Sequence, residues 1–354
     1  MSTMKRVAER AGVSIATVSR VINRNGYVAP DLQEKVLLAM ESLHYQPSAL
    51  ARGLRRRETQ TVGVLVPQLA QPFFSSLAYV IERTLFARQY RAFLCSAEED
   101  VEKESAYIEM LLRQRADGII LVPTGQSLAN IERLLRIKVP IVLVDRDLAG
   151  LNVDRILSNN FGGAYQICRH LIELGHKRIG VIGAPQHSGS MAGRLAGVKK
   201  ALSEAGAELK DELMVMGANE QFELGFTVTQ RLLQLPRPPT AVIALTDVIG
   251  VGALHAAWKA GLTLPRDLSV TGFDDVALAS YTLPELTTVA QPVTEMGEQA
   301  VQRLLERIRN PELDARRTVL PTRLIVRSST MSPAYGKQSG HTAPLMAGYS
   351  SDSH

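Results

Sequence analysis

The sequence predicts an all-α N-terminal domain followed by an α/β body of two lobes with parallel sheets. Three observations carry this. Residues 4–45 place their apolar side chains at helical spacing. From residue 61 short strand-like runs alternate with amphipathic helical segments, the pattern of a parallel sheet covered on both faces. Those runs, spread over residues 61–331, are too many for one sheet and suit two adjacent ones. A chain of 354 residues, 45% hydrophobic and 21% charged, has material for two or three ordinary domains.

In chain order, Val7, Ala8 and Ala11 set the apolar face of a first short helix, which Gly12 breaks. Ser14 is placed to N-cap a second helix, Ile15 to Ile22, with Val18, Val21 and Ile22 at helical spacing. Asn23-Arg24-Asn25-Gly26 reads as a turn. Pro30 suits the first turn of a third helix, Asp31 to Leu43, whose stripe is Leu32, Val36, Ala39, Met40 and Leu43. The strand-like runs are Val62–Val66, Ala92–Cys95, Gly118–Val122, Ile141–Val144, Ile179–Ile182, Ala241–Leu245 and Leu268–Thr271. The helical segments between them include Phe74–Arg88, Glu102–Arg115, Gly162–Leu174, Gly193–Ala205 and Val248–Ala260. A further helix, Met296–Arg309, and a strand, Val319–Val326, are expected to return to the first lobe and make it discontinuous. The expected division is 1–47, 48–60 as a linker, and 61–331, with lobe 1 near 61–159 and 292–320 and lobe 2 near 160–291 and 321–331. Residues 332–354, rich in Ser, Gly, Pro and His without periodicity, read as a disordered tail.

Charge is unevenly placed. Residues 1–60 carry ten basic and five acidic residues, an excess equal to the whole chain's +5. A basic end on a neutral body suits a polyanion partner; a solvated charged face explains the charge alone equally well. No run of about 18 apolar residues is present, and the N-terminus lacks a secretory pattern, so a cytoplasmic protein is expected. Cys95 and Cys168 have no metal-ligand spacing around them and read as buried small apolar residues. There is no phosphate loop, nucleophile elbow or HExxH. Neither enzyme, metal nor cofactor is expected, although Asp145 and Asp274 would make an acid/base pair if they converged.

The first 26 residues suit a helix-turn-helix: two short helices, a tight turn at Gly12, and a second helix with small or polar residues at its start. The run Val7-Ala8-x-x-Ala11-Gly12-Val13-Ser14-x-x-Thr17-Val18-Ser19-Arg20-Val21-Ile22-Asn23 closely resembles the opening of LacI/GalR-type regulators. So do Tyr45-x-Pro47-Ser48-Ala49-x-Ala51-Arg52-x-Leu54 and the strand Gly63-x-x-x-Pro67. The resemblance extends over residues 3 to about 331. It implies a DNA-binding transcription regulator, expected to be a repressor, that reads a pseudo-palindromic double-stranded operator as a homodimer. It also implies an effector domain of two periplasmic-binding-protein-like lobes. Ile15, Ala16 and Arg20 would then read bases, and Thr17, Ser19 and Asn23 would hold phosphates. One departure stands out: relatives carry an acid where this chain has Arg6, so the capping box begun by Thr3 loses its reciprocal half.

Ser48–Arg56 spans about two helical turns, marginal in water and weakened by Gly53. By the resemblance it is a hinge helix that forms on DNA. Leu54 from each subunit would wedge into a minor-groove base step, while Arg52, Arg55, Arg56 and Arg57 contact phosphates. In the body, polar residues follow strand ends, where two-lobed folds hold ligands. They are Asp145 and Arg146, Arg194, Asp247, Asp274 and Gln291, with Phe73 and Phe74 opening the helix after the first strand. Carboxylates and Arg hydrogen-bond vicinal hydroxyls, and aromatic faces cover a sugar ring. The set points to a pentose, hexose or sugar derivative as effector. Asp247 and Asp274 would equally suit helix caps, and Arg194 an ordinary ion pair. A nucleobase or a partner protein as effector is the alternative.

Overall fold

The computed structural model describes residues 3–23, 25–45, 59–125, 127–148, 150–184, 189–207, 209–217 and 221–333. The expected hinge, with Arg52, Leu54 and Arg55, and nearly all of the expected tail lie outside these residues.

Three helices make the N-terminal unit: α1 (Met4–Ala11), α2 (Ile15–Asn23) and α3 (Pro30–Ser42). Val7, Ala8, Val18, Val36 and Ala39 form its core, with Val13, Met40 and Leu43 packed against them. Gly12 ends α1 at φ 67°, a left-handed conformation that a Cβ would strain. Ser14 Oγ then accepts from Thr17 N–H at 3.0 Å, giving α2 its cap. At α1 the Arg6 N–H donates to Thr3 Oγ1 at 3.4 Å and no acid occupies the first turn, so only half a capping box forms.

The first lobe rests on a six-stranded parallel sheet. Its strands are β1 (Thr61–Val66), β2 (Arg91–Ser96), β3 (Gly118–Leu121), β4 (Ile141–Val144), β5 (Asp154–Ser158) and β11 (Arg317–Leu320), in the order β11-β5-β4-β3-β1-β2. Helices α4 (Pro72–Ala87) and α11 (Val293–Arg309) pack together over one core, and α5 (Val101–Arg113) and α6 (Leu128–Arg136) cover another. The second lobe has a four-stranded parallel sheet of β6 (Ile179–Gly183), β7 (Met214–Met216), β8 (Ala241–Ala244) and β9 (Ser269–Thr271), in the order β7-β6-β8-β9. Its helices are α7 (Asn160–Glu173), α8 (Gly189–Glu204), α9 (Phe222–Leu233) and α10 (Asp247–Lys259). Helices α9 and α10 touch backbone to backbone. A Cβ on Gly225 would sit 2.0 Å from the Ile249 carbonyl oxygen, and one on Gly252 2.0 Å from that of Phe222.

Three features differ from the sequence reading, the short strand β7 being one. The run Val319–Val326 is not one strand. Pro321, which has no N–H to donate, separates β11 from β12 (Arg323–Ile325), and β12 pairs antiparallel with β10 (Thr288–Ala290). The sheets are therefore not all parallel. Strand β5 was also hidden, because it opens on a fully buried carboxylate. Asp154 accepts from Arg303 Nε at 2.7 Å and Arg316 N–H at 2.8 Å, and also from Arg307. The chain crosses between lobes three times: after β5, after β10, and at Pro321. The first crossing delivers Asn160 and the second Gln291 to the region between the sheets.

Candidate ligand cleft and nucleic-acid interface

The cleft is built from strand ends. At the end of β4 the backbone turns sharply: Asp145 takes φ 66° and donates its N–H to Ile156 O at 2.9 Å, while Arg146 N–H donates to Val144 O at 2.7 Å. Both side chains are thereby turned inward and nearly fully buried. Arg146 makes a two-pronged pair with Glu99, at 2.8 and 2.6 Å, and donates to Pro123 O at 3.1 Å. Its guanidinium lies 5.5 Å from the centre of the Phe74 ring. Phe73 and Phe74 meet edge to face with centroids 5.3 Å apart. Both belong to the lobe 1 core and both border the cleft.

From the other lobe, Arg194 on α8 donates from Nε to Asn160 Oδ1 at 2.7 Å and from NH1 to Leu245 O at 2.6 Å. Its NH2 stands 3.0 Å from Asp274 Oδ1, and its plane lies 3.8 Å from the Phe273 ring centre. Gln291 Nε2 donates to the same Asp274 oxygen at 2.8 Å. Among the described residues, the buried Asp145 Oδ1 and Gln291 Oε1 have no hydrogen-bond partner. Burial pushes the Asp145 carboxyl above the ordinary carboxylate range. Arg194 and Arg146 oppose this, and the nearby Glu99 adds to it.

The structure thus gathers seven of the eight sequence-derived cleft residues: Phe73, Phe74, Asp145, Arg146, Arg194, Asp274 and Gln291. Asp247 stands behind them, fully buried. It accepts from Thr288 Oγ1 and, at 2.8 Å, from Val276 N–H, which ties α10 to β10 and to the loop after β9. The helix cap itself is Thr246, whose Oγ1 accepts from Ile249 N–H at 3.4 Å. Burial, with the Asp274 charge in support, holds Asp247 well above the usual carboxylate range. Sequence reasoning missed Glu99, Asn160, Phe273 and Ser190. Glu99 follows β2 as Asp145 follows β4, and that signal was available. The space between Gln71, Phe73, Asp145, Ser190, Arg194 and Asp274 measures about 10 Å³, room for about one water molecule. Phe73 and Asp274 also line an adjoining groove of about 630 Å³.

Asp145 and Asp274 do not form an acid/base pair poised on a shared atom. Asp274 is occupied by Arg194 and Gln291, and Asp145 faces Arg194 from the opposite lobe. Cys95 and Cys168 are buried, and burial raises their thiols to about 11 and about 12, so neither is a nucleophile near neutral pH.

On α2, Ile15, Ala16 and Arg20 form one exposed face, opposite the buried Val18. Thr17 and Ser14 hydroxyls lie 2.9 Å apart. Asn23 Nδ2 donates to Ser19 O at 2.8 Å and to Ser19 Oγ at 3.2 Å. The polar rim of the helix is thus pre-ordered, while its outward face keeps one cation and two apolar side chains.

Residues 3–48 match the model for bacterial regulatory proteins of the lacI family, and residues 168–330 match a periplasmic binding protein-like domain. The chain is 38% identical over 337 residues to the HTH-type transcriptional repressor PurR of Erwinia tasmaniensis, covering 95% of this chain and 98% of that one. This chain belongs to the lacI family. The lacI-family chain is equally close, 38% over 332 residues, to the ribose operon repressor of Haemophilus influenzae, covering 94% of this chain and 99% of that one. Its fold superposes with a TM-score of 0.83 on the lac repressor dimer bound to operator and the anti-inducer ONPF, at 28% identity, covering 93% of this chain and 99% of that one. As a lacI-family member it is a DNA-binding transcriptional regulator with a ligand-binding body, not an enzyme. No helix among the described residues is long and apolar enough to cross a membrane.

Proposed function

We propose that this lacI-family regulator is a cytoplasmic repressor that binds a pseudo-palindromic operator as a homodimer, with operator affinity set by a small neutral sugar between its lobes. The observation that carries the ligand is the pair of buried acceptors, Asp145 Oδ1 and Gln291 Oε1, that lack a protein donor beside the Arg194–Asp274 pair. A buried acceptor left unsatisfied costs about 1–3 kcal/mol, so a ligand bringing O–H donors gains there. A hydroxyl both donates and accepts, which suits acceptors beside a guanidinium. Phe73 and Phe74 supply apolar surface for ring C–H groups. A pentose, as the ribose operon repressor's name suggests for that relative, fits this chemistry.

A nucleobase is the second reading. The equally similar PurR relative and the aromatic residues of the cleft favour it. Isothermal calorimetry of the full chain against D-ribose, other pentoses and hexoses, ribose 5-phosphate, hypoxanthine and guanine separates them. Heat with a neutral sugar supports the proposal. Heat with a purine alone replaces it by the second reading. A phosphorylated sugar should bind more weakly than its parent sugar, because its phosphate would approach two carboxylates and only one guanidinium not already neutralised by a two-pronged partner.

On DNA, Ile15, Ala16 and Arg20 are assigned to base edges in the major groove, with Thr17, Ser19 and Asn23 on phosphates. Arg52 and Arg55 would contact phosphates and Leu54 would enter the minor groove at the dimer axis. Closure of the lobes on sugar then changes the spacing of the paired arms. Because coupling is reciprocal, sugar must alter operator affinity by the factor by which operator alters sugar affinity.

A further inference from the structure

The chain leaves segment 48–58 and enters the body through a joint held largely by one side chain. Asp117, in the turn before β3, accepts from Thr59 N–H at 2.7 Å with one carboxylate oxygen and from Gln60 N–H at 2.8 Å with the other. Thr59 Oγ1 donates to Arg115 O at 2.9 Å and lies 2.9 Å from the same Asp117 oxygen. In return the Asp117 N–H donates to Thr61 O at 2.8 Å, and Gln60 O accepts from Arg91 N–H at 2.8 Å. The joint is therefore tied to the starts of both strands that flank β1. The backbone bends to achieve it: Gln60 and Arg115 sit at φ 55° and 56°, a conformation that L side chains rarely adopt.

This joint also touches the element that leaves the cleft. Helix α11 begins two residues after Gln291 and runs across the lobe 1 sheet. Near its far end Leu304 packs over Gly118, the neighbour of Asp117, so closely that a Cβ there would meet Leu304 Cδ1 at 2.9 Å.

We propose that Asp117 is a latch, a positioning residue that fixes the end of the linker to lobe 1 so that lobe movement sets the placement of the DNA-binding arm. The proposal rests on the reading of ligand-controlled operator binding given above. A slack joint would let each headpiece wander. That would weaken binding to a spaced pair of half-sites while leaving contact with DNA of any sequence untouched.

The test uses the full-length chain, a duplex selected by the parent protein from a random pool, an unselected duplex, and D-ribose as ligand. Asp117→Ala should bind the selected duplex roughly tenfold more weakly and the unselected duplex as before. Calorimetry should give the parent's ribose affinity, and the ribose-dependent change in operator affinity should shrink toward none. Asp117→Asn, keeping one acceptor, should fall between. If Asp117→Ala does not fold, Asp117→Asn and Thr59→Ala carry the test, the latter removing only the hydroxyl from the same network. Parent-like specificity and ribose response in the variants that fold would overturn the latch. So would an equal loss on both duplexes. A parent protein that binds its selected duplex but answers to none of the sugars or purines of the calorimetric panel would overturn the ligand reading alone. Loss of specificity in Asp117→Ala would then still support the latch.

Discussion

Arg194→Met tests the cleft where its electrostatics are most exposed. The substitution keeps an unbranched apolar stem over Phe273 and removes the charge and the donors that reach Asn160, Leu245 O and Asp274. The parent side chain is only 4% exposed, so solvent cannot replace what is lost. Breaking a buried pair by removing one partner costs about 3–5 kcal/mol. At roughly 2–4 °C per kcal/mol for a domain of this size, the unfolding midpoint at pH 7.5 should drop by about 6–20 °C. Most of that cost is an uncompensated Asp274 carboxylate, with Asp145 also losing its attraction across the cleft. The loss should therefore shrink at pH 4.5 through Asp145, whose burial favours the protonated form. Adding Asp274→Asn should restore more than half of the loss at pH 7.5, because a neutralised buried pair is often tolerated. Thermal unfolding followed by circular dichroism at both pH values measures this. An equal destabilisation at pH 4.5 and 7.5, with no recovery in the double variant, would reduce Arg194 to packing and refute the charge argument.

Three further outcomes follow. Asp247 and Asp145 both have folded-state carboxyls raised above the ordinary value of 3.8, so the stability they contribute is fully present below that pH and is lost as pH rises through their folded values. Asp247→Asn, which still offers an acceptor to Val276 N–H, should flatten the fall in melting temperature from about pH 4 upward; an unchanged slope would remove Asp247 from this account. Gly225→Ala should cost about 1–3 kcal/mol, read as a lowered denaturation midpoint, because its Cβ would meet the Ile249 carbonyl at 2.0 Å; a neutral result would mean α9 and α10 can separate freely. Arg20→Ala should cost about 1–3 kcal/mol on the selected duplex and relax the preference at one base position, measured by anisotropy on single-base variants; a uniform loss across sequences would make Arg20 a phosphate contact instead.

Apolar runs made seven strands legible: six are buried parallel strands, apolar throughout because both faces are covered, and the seventh, β2, is an edge strand that exposes Phe93 and Leu94. Strand β7, only three residues long, was too short to stand out, and polar structure hid β5 and the start of α6. Strand β5 begins on Asp154, whose three arginine partners arrive from residues 303–316. Helix α6 starts at a turn organised by a buried carboxylate from α5: Glu104 accepts from Thr124 N–H at 2.9 Å, from Ser127 Oγ at 2.6 Å and from Asn130 Nδ2 at 2.9 Å. No local pattern announces such a partner. The cleft shows the same division. Position after a strand end identified Asp145, Arg146 and Asp274, because the fold directs those ends inward. It could not separate Asp274 from Asp247, whose carboxylate turns to Thr288 and Val276 instead. Asn160 and Gln291 reach the site through crossings between lobes, and only Gln291 follows a run apolar enough to mark it.

The two lobes contribute unequal chemistry to the cleft, and this bears on what closes it. Arg146 is neutralised within lobe 1 by Glu99, and Asp274 within lobe 2 by Arg194 and Gln291. Asp145 is different: it is buried in lobe 1, its Oδ1 has no donor among the described residues, and its principal attraction is the Arg194 charge across the cleft. A charge attraction falls off slowly with distance and fixes no orientation, whereas hydrogen bonds are short-ranged and directional. Separate ligand hydroxyls donating to Asp145 and to Gln291 would convert a loose electrostatic closure into an oriented one. The ligand can shift the lobes only by the difference in its affinity for closed and open forms, and these two acceptors are where that difference arises. Asp145→Asn should thus weaken sugar binding while Asp247→Asn, equally buried but already supplied with donors, leaves it unchanged; calorimetry giving the two variants the same sugar affinity would place the control of closure elsewhere.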